Sequence, residues 1–372
     1  MTHKGTPFSG QNPTLFRFLQ TGSALALSAV CLLSTTQNAA AADAEKSPLT
    51  FNLGSGYSAT LYGYVKADFL WDDGYDLGRT TSSIKSIGLP GGPAAGSFDN
   101  QQLDETRIGL KVDGPNGFFA RLEGDFYGAD TSLRWRHAYI DWYGVIVGQN
   151  WTNFMSVENL ADTVDFQGSG AVPFARLPQI RYTYSGIKNT TLSASIEEDV
   201  SNDDDYMLTV AARYGFKSGM VRASAMTRDT MVGGSQVDGW GLNLSTVLNP
   251  WHGGTVKLNY TTGEGIADVL AAGLTGTALS IGGNAVGTDA VAVTVAHQVN
   301  DKLKLAATGS WVSLDQSSGT DTDSLTSVHL SAFYKVQKNT TLMLEYFTGD
   351  RKQGDGNSFE ANRVQFAVKY DF

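Results

Sequence analysis

Cysteine is almost missing: one occurs in 372 residues, Cys31, and it lies in an N-terminal segment that an exported chain would lose. That excludes a disulfide-stapled secreted domain and leaves the mature chain without a thiol. Proline is scarce as well, at 9, and no apolar run beyond the N-terminus is long enough to cross a membrane as a helix. Basic tracts are lacking: 27 Lys and Arg stand against 37 Asp and Glu, a formal net charge of −10. With no basic stripe, nucleic acid is disfavoured as a partner. His137, His252, His297 and His329 are scattered without metal-ligand spacing, and no Gly-x-Ser-x-Gly elbow occurs. No catalytic group, metal site or cofactor motif emerges and no enzyme is expected, although a lipid-hydrolysing barrel could assemble serine and histidine across strands without a local motif.

What the chain does have begins with a leader. His3, Lys4 and Arg17 flank it, an apolar run follows over 19–33, and Ala39 to Ala42 offer small-residue cleavage positions. This describes a signal peptide over 1–42, the other reading being a single membrane anchor interrupted by Ser23, Ser28 and Ser34. A linker over 43–56 and one domain over 57–372 complete the expected division.

In that domain the dominant pattern is period two. At the C-terminus Val364, Phe366, Val368, Tyr370 and Phe372 share one face, and Arg363, Gln365, Lys369 and Asp371 share the other, with Ala367 the one apolar exception. The same alternation recurs along the chain, beginning over 61–71, and gives about sixteen strands. Tight turns alternate strictly with mostly longer Asp- and Gly-rich loops, and the many glycines, 42 in all, suit half-apolar strands. A soluble sandwich gives no reason for such asymmetry. It is the signature of an all-β, antiparallel transmembrane barrel of about sixteen strands in the bacterial outer membrane, surrounded by lipid and lipopolysaccharide.

A barrel of that size encloses water. The loop over 152–177 lacks alternation and is the candidate to fold inward as a constriction. In the fourth strand, two strands ahead of that loop, Arg134 and Arg136 share parity with Ala138, Ile140 and Trp142, so either a bulge resets the phase or one side of the strand meets protein rather than lipid. Three stretches carry a family resemblance: Asp130-Thr131-Ser132-Leu133-Arg134-Trp135-Arg136-His137-Ala138-Tyr139, Val147-Gly148-Gln149-Asn150-Trp151-Thr152-Asn153-Phe154-Met155 and Arg176-Leu177-Pro178-Gln179-Ile180-Arg181-Tyr182. They resemble the DcaP-type porins of Gram-negative bacteria. The resemblance implies a homotrimeric porin that favours small anionic solutes, dicarboxylates among them. Many members also carry a coiled-coil segment ahead of the barrel, for which the linker leaves no room.

Chemistry points the same way. Arginine stays charged and offers a fork of donors that matches a carboxylate. On parity Arg107, Arg121, Arg213 and Arg222 point inward, while Arg134, Arg136, Arg176 and Arg181 cluster in sequence around the inward loop. Glu158, Asp162 and Asp165 on that loop would face the basic groups across the constriction and set up a transverse field. The plainer reading is that inward arginines pair with Glu123 and Asp125 as ordinary wet-face residues. A general, non-selective porin would then remain.

Overall fold

The computed structural model describes residues 49–372; the expected leader over 1–42 lies outside them. Strands β1 (Thr50–Gly54) and β2 (Tyr57–Asp73) open the chain, followed by β3 (Phe98–Gln102), β4 (Arg107–Asp113) and β5 (Phe119–Asp125). Next come β6 (Arg134–Trp142), β7 (Val145–Trp151), β8 (Arg176–Ile187), β9 (Thr190–Glu198) and β10 (Tyr206–Phe216). The middle holds β11 (Gly219–Val232), β12 (Ser235–Leu248), β13 (Gly254–Glu264) and a small separate hairpin, β14 (Ser280–Ile281) with β15 (Asn284–Ala285). The last five are β16 (Gly287–Gln298), β17 (Leu303–Leu314), β18 (Thr322–Gln337), β19 (Thr340–Gln353) and β20 (Ser358–Asp371).

Antiparallel pairing runs round the molecule, and β20 closes on β2 from Tyr64↔Asp371 to Asp73↔Asn362. Both β3 and β4 pair with the other edge of β2, so they act as one wall strand broken at 103–106. The result is a closed barrel of 16 strands, with the short β1 added beside β2. Period two explains the strands: in β10, Leu208 and Val210 are exposed on the outside while Met207, Thr209 and Ala211 are buried inside. Val145, Ile180, Leu242, Leu258 and Tyr370 extend the outer apolar face round the wall. Only a hydrocarbon surround makes such a face favourable.

Two expectations are sharpened. The stretch read as a linker contains β1, which pairs with Ser58 to Thr60 on the edge of β2 that β20 has left free. Backbone groups there would otherwise lack partners, which is why so short a segment becomes a strand. In β6 the phase conflict is a bulge: Glu123 pairs with His137 but Gly124 with Trp135, so Arg136 is the extra residue. Arg136 and His137 are consequently both buried, while Ile140 and Trp142 remain outside.

More than one loop enters the lumen. Segments 74–97, 152–175 and 265–286 are knitted together by bonds from Ala271 N–H to Val172 C=O (2.8 Å) and from Phe174 N–H to Val269 C=O (2.8 Å). The ammonium of Lys85 joins the first segment to the third through Gly273 C=O, 3.0 Å. Leu77 and Ile87, Ala171 and Val172, and Leu270 and Leu279 form an apolar core against inward Val312, Leu325 and Phe347 of β17 to β19. This cluster fills most of that side of the lumen, and the larger polar cavity lies against the wall from β2 to β8.

Candidate functional site

Inward positions of that wall carry the basic residues. Lys66 on β2, Arg107 on β4, Arg121 on β5, Arg136 on β6, Arg181 on β8 and Lys369 on β20 line a cavity of about 430 Å³, closed on its other side by the inward loop from Leu160 to Ser169. The acidic residues lining it are Glu105, Glu123 and Asp165, half as many as the basic ones. Register also sets like charges directly opposite each other: Lys66↔Lys369, Lys111↔Arg121 and Arg213↔Arg222. Such pairs destabilise a sheet unless acids offset them, as Asp68 and Glu105 do for Lys66, Glu123 for Arg121 and Glu158 of the loop for Arg213 on the opposite wall.

Six of the eight arginines singled out by sequence divide into two groups. Arg134 binds Asp125 through two nitrogens (3.0 and 2.8 Å), Arg136 bridges Glu123 (2.5 Å) and Asp125 (3.0 Å), and Arg121 pairs with Glu123. For these three the plainer reading holds. Arg107, Arg176 and Arg181 have no carboxylate within ion-pair distance among the described residues. Arg107 lies 5.2 Å from the Tyr64 ring centroid and 5.6 Å from that of Phe166. Arg176 lies 4.8 Å from Trp151 and 6.0 Å from Phe174. Arg181 donates only to the Trp151 carbonyl, 3.4 Å. Arg107 Nε, Arg176 Nη1 and Arg181 Nε are buried without a hydrogen-bond partner.

The loop acids depart from expectation. Glu158 pairs with Arg213 on β10 (2.8 Å), and Asp162 with Lys257 on β13 (3.1 Å) and Lys304 on β17. Neither faces the arginine cluster; both tie the loop to the opposite wall, whose own inward cations attract them. Asp165 lines the cavity, but its oxygens accept from Thr81 N–H (3.1 Å), Thr81 Oγ1 (2.9 Å) and Gln167 N–H (2.9 Å). Burial by itself would raise the Asp162 carboxyl, but Lys257 and Lys304 outweigh it and hold it below the ordinary range. Burial pushes Asp165 up; Arg363 opposes this and neighbouring Glu345 adds to it.

Several partners of the loop were not singled out from sequence. Glu345 on β19 accepts from Val164 N–H (2.6 Å) and Asp165 N–H (3.3 Å), while Lys66 donates to Val164 C=O (2.7 Å), so one peptide is clamped from two strands. Glu197 takes Asn153 N–H (2.7 Å), and Ser224 donates to Phe154 C=O (2.7 Å). Lys66, Lys369 and Glu345 all sit at inward parity, and a charge at such a position is the signal by which sequence could have marked them. Ser331, His329 and Glu345 do meet, but the carboxylate lies between the other two (2.6 and 3.0 Å), so the histidine does not bond the hydroxyl it would have to deprotonate. Among the described residues no cluster of three or more metal-ligating side chains occurs.

No family model matches the chain, and no curated protein matches it in sequence. Solved structures do. The outer membrane channel DcaP of Acinetobacter baumannii superposes with a TM-score of 0.76 at 23% identity, covering 87% of this chain and 99% of its own. This is a porin fold. The outer-membrane protein OmpT of Vibrio cholerae (TM-score 0.61, 16% identity, 87% and 100% coverage) and an anion-selective porin from Comamonas acidovorans (0.60, 13%, 85% and 100%) share it. In this porin fold the passage is bounded by the basic wall of β2 to β8 and by the loop that Glu345, Asp162 and Glu158 secure.

Proposed function

We propose that the chain is an outer-membrane diffusion channel, assembled as a homotrimer, whose narrowest passage favours small anions, dicarboxylates among them. One observation carries this reading: Arg107 and Arg181, which line the cavity, and Arg176 close to them at the end of the loop, have no acid within ion-pair distance among the described residues. An uncompensated guanidinium about 4 Å from a passing carboxylate contributes up to roughly 4 kcal/mol at the effective dielectric of a protein surface, before desolvation is subtracted. Its free N–H edges can replace part of the hydration a carboxylate sheds on entering. Several such groups along one wall let an anion pass from donor to donor without being trapped at one of them. The negative net charge does not oppose this, because Asp203, Asp204 and Asp321 sit on loops at the long-loop rim and selectivity follows the field at the narrowest point.

The test is a reversal potential measured on the purified, folded protein in a planar bilayer under a salt gradient. Anion preference is expected. Clear cation selectivity would refute the selectivity, and no conductance at all would refute the channel.

A further inference from the structure

The acid-free arginines are not held by carboxylates, yet they are held. Arg107 is shared between Tyr64 of the wall and Phe166 of the inward loop, at 5.2 and 5.6 Å from the two ring centroids. Arg176 repeats the arrangement with Trp151 of the wall and Phe174 at the end of the loop, at 4.8 and 6.0 Å. The Phe166 ring also stacks on Tyr127, with centroids 4.4 Å apart, and gathers Arg136 and Arg134 at 5.3 and 5.7 Å. From this we infer that Phe166 and Phe174 are positioning residues for anion selectivity: they fix Arg107 and Arg176 through their flat faces and thereby leave charge and N–H donors free for the solute.

The physical distinction lies in which part of the guanidinium is used. A carboxylate takes the in-plane N–H groups and cancels the charge, as it does for Arg121, Arg134 and Arg136. An aromatic face attracts the cation by its quadrupole and leaves the edge donors unspent. Neither Arg107 nor Arg176 donates a hydrogen bond to any of the described residues; Arg107 Nε and Arg176 Nη1 are buried against the packing, so the donors offered to a solute are the remaining N–H groups. The ring's electron-rich face, set among three guanidinium groups, also lessens the repulsion that would otherwise push them apart. Because both phenylalanines belong to the loop, the loop narrows the passage and orders its cations at once. This inference rests on the anion-channel reading above.

The experiment replaces each ring by an aliphatic side chain that leaves every charge in place: Phe166→Leu for Arg107 and Phe174→Leu for Arg176, with Phe166→Tyr as the conservative variant that keeps a π face. Reversal potentials in a potassium chloride gradient are read for all of them beside the wild type. Loss of a contact of this kind should reduce the anion-to-cation permeability ratio roughly two- to five-fold in each leucine variant, with Phe166→Tyr close to wild type. A wild type that prefers anions, with leucine variants of unchanged ratio, overturns this inference and leaves the anion-channel reading standing. A wild type that prefers cations overturns that reading and this inference with it. Should one leucine variant fail to assemble, the other reports on its own arginine independently.

Discussion

Replacing Glu345 by glutamine keeps the shape of the side chain and removes the charge on which four donors converge. Two of them are the backbone amides of Val164 and Asp165 at the loop tip, at 2.6 and 3.3 Å; the others are Ser331 Oγ at 2.6 Å and His329 Nδ1 at 3.0 Å. Hydrogen bonds to a charged acceptor contribute roughly 1.5–3 kcal/mol and those to a neutral one roughly 0.5–1.5, so the loop loses about 2 kcal/mol over its two bonds. The new amide nitrogen also points a donor at donors, adding about 1–2 kcal/mol for a buried group without an acceptor. At about 1.4 kcal/mol per tenfold change, the fraction of channels with a detached tip rises by a factor on the order of 100 to 1,000. The wall itself is held by continuous backbone pairing, and the barrel should still assemble. Single-channel recording reads the effect directly: open-channel current noise should grow, and closure should occur at lower voltage. Noise and closing voltage identical to those of the wild type in a correctly folded Glu345→Gln barrel would show that the tip is held elsewhere and that Glu345 is no clamp.

Two further substitutions should shift selectivity in opposite directions. Arg107→Gln removes a guanidinium that no carboxylate pairs directly and should lower the anion-to-cation ratio by roughly three- to ten-fold at low salt, whereas Glu123→Gln removes a carboxylate that pairs with Arg121 and is one of two holding Arg136, and should raise it; reversal potentials moving the same way for both would refute the division of the arginines into spent and available. The Asp162 anchor has a definite pH window. Its folded carboxyl lies below its unfolded value, so its contribution is complete above about pH 4 and is lost as pH falls through the folded value. Current noise in the wild type should therefore owe nothing to Asp162 between neutrality and about pH 4, while Asp162→Asn should be noisy already at pH 7. A quiet Asp162→Asn channel at neutral pH would remove Asp162 from the anchors.

The wall was legible because alternation reports local geometry. In β20, Arg363, Gln365 and even the apolar exception Ala367 are buried inside, while Val364 and Tyr370 lie outside, as parity requires. The conflict at Arg134 and Arg136 located an irregularity, but only the pairing of Glu123 with His137 identifies it as a bulge. Route and partners of the loop were not legible. Glu158 and Asp162 are fixed by Arg213, Lys257 and Lys304, residues 55 to 142 positions away, and nothing local to the loop distinguishes them from the arginines of the other wall. The apolar run Ile266-Ala267-Asp268-Val269-Leu270-Ala271-Ala272 was a missed signal, since a loop lying wholly in water has no use for it. Its residues now pack in the lumen beside Phe154 and Val172.

That packing explains how an acidic protein can present a basic passage. Apolar side chains from three loops occupy the lumen beside β16 to β19, where they pack on the inward Ala290, Ala292, Val312 and Phe347, while the inward Lys304 and Glu345 of the same strands bind the loop. That filling leaves the cavity beside β2 to β8 and β20, whose lining holds six basic residues against three acidic ones although the whole chain has 27 against 37. The loop acids, which would have cancelled that excess, are mostly spent on the far wall in holding the loop down. Charge at the passage is therefore set by which wall the loop leans on. Moving the loop by loosening its anchors should alter selectivity as well as conductance, even though no residue of the basic wall has changed.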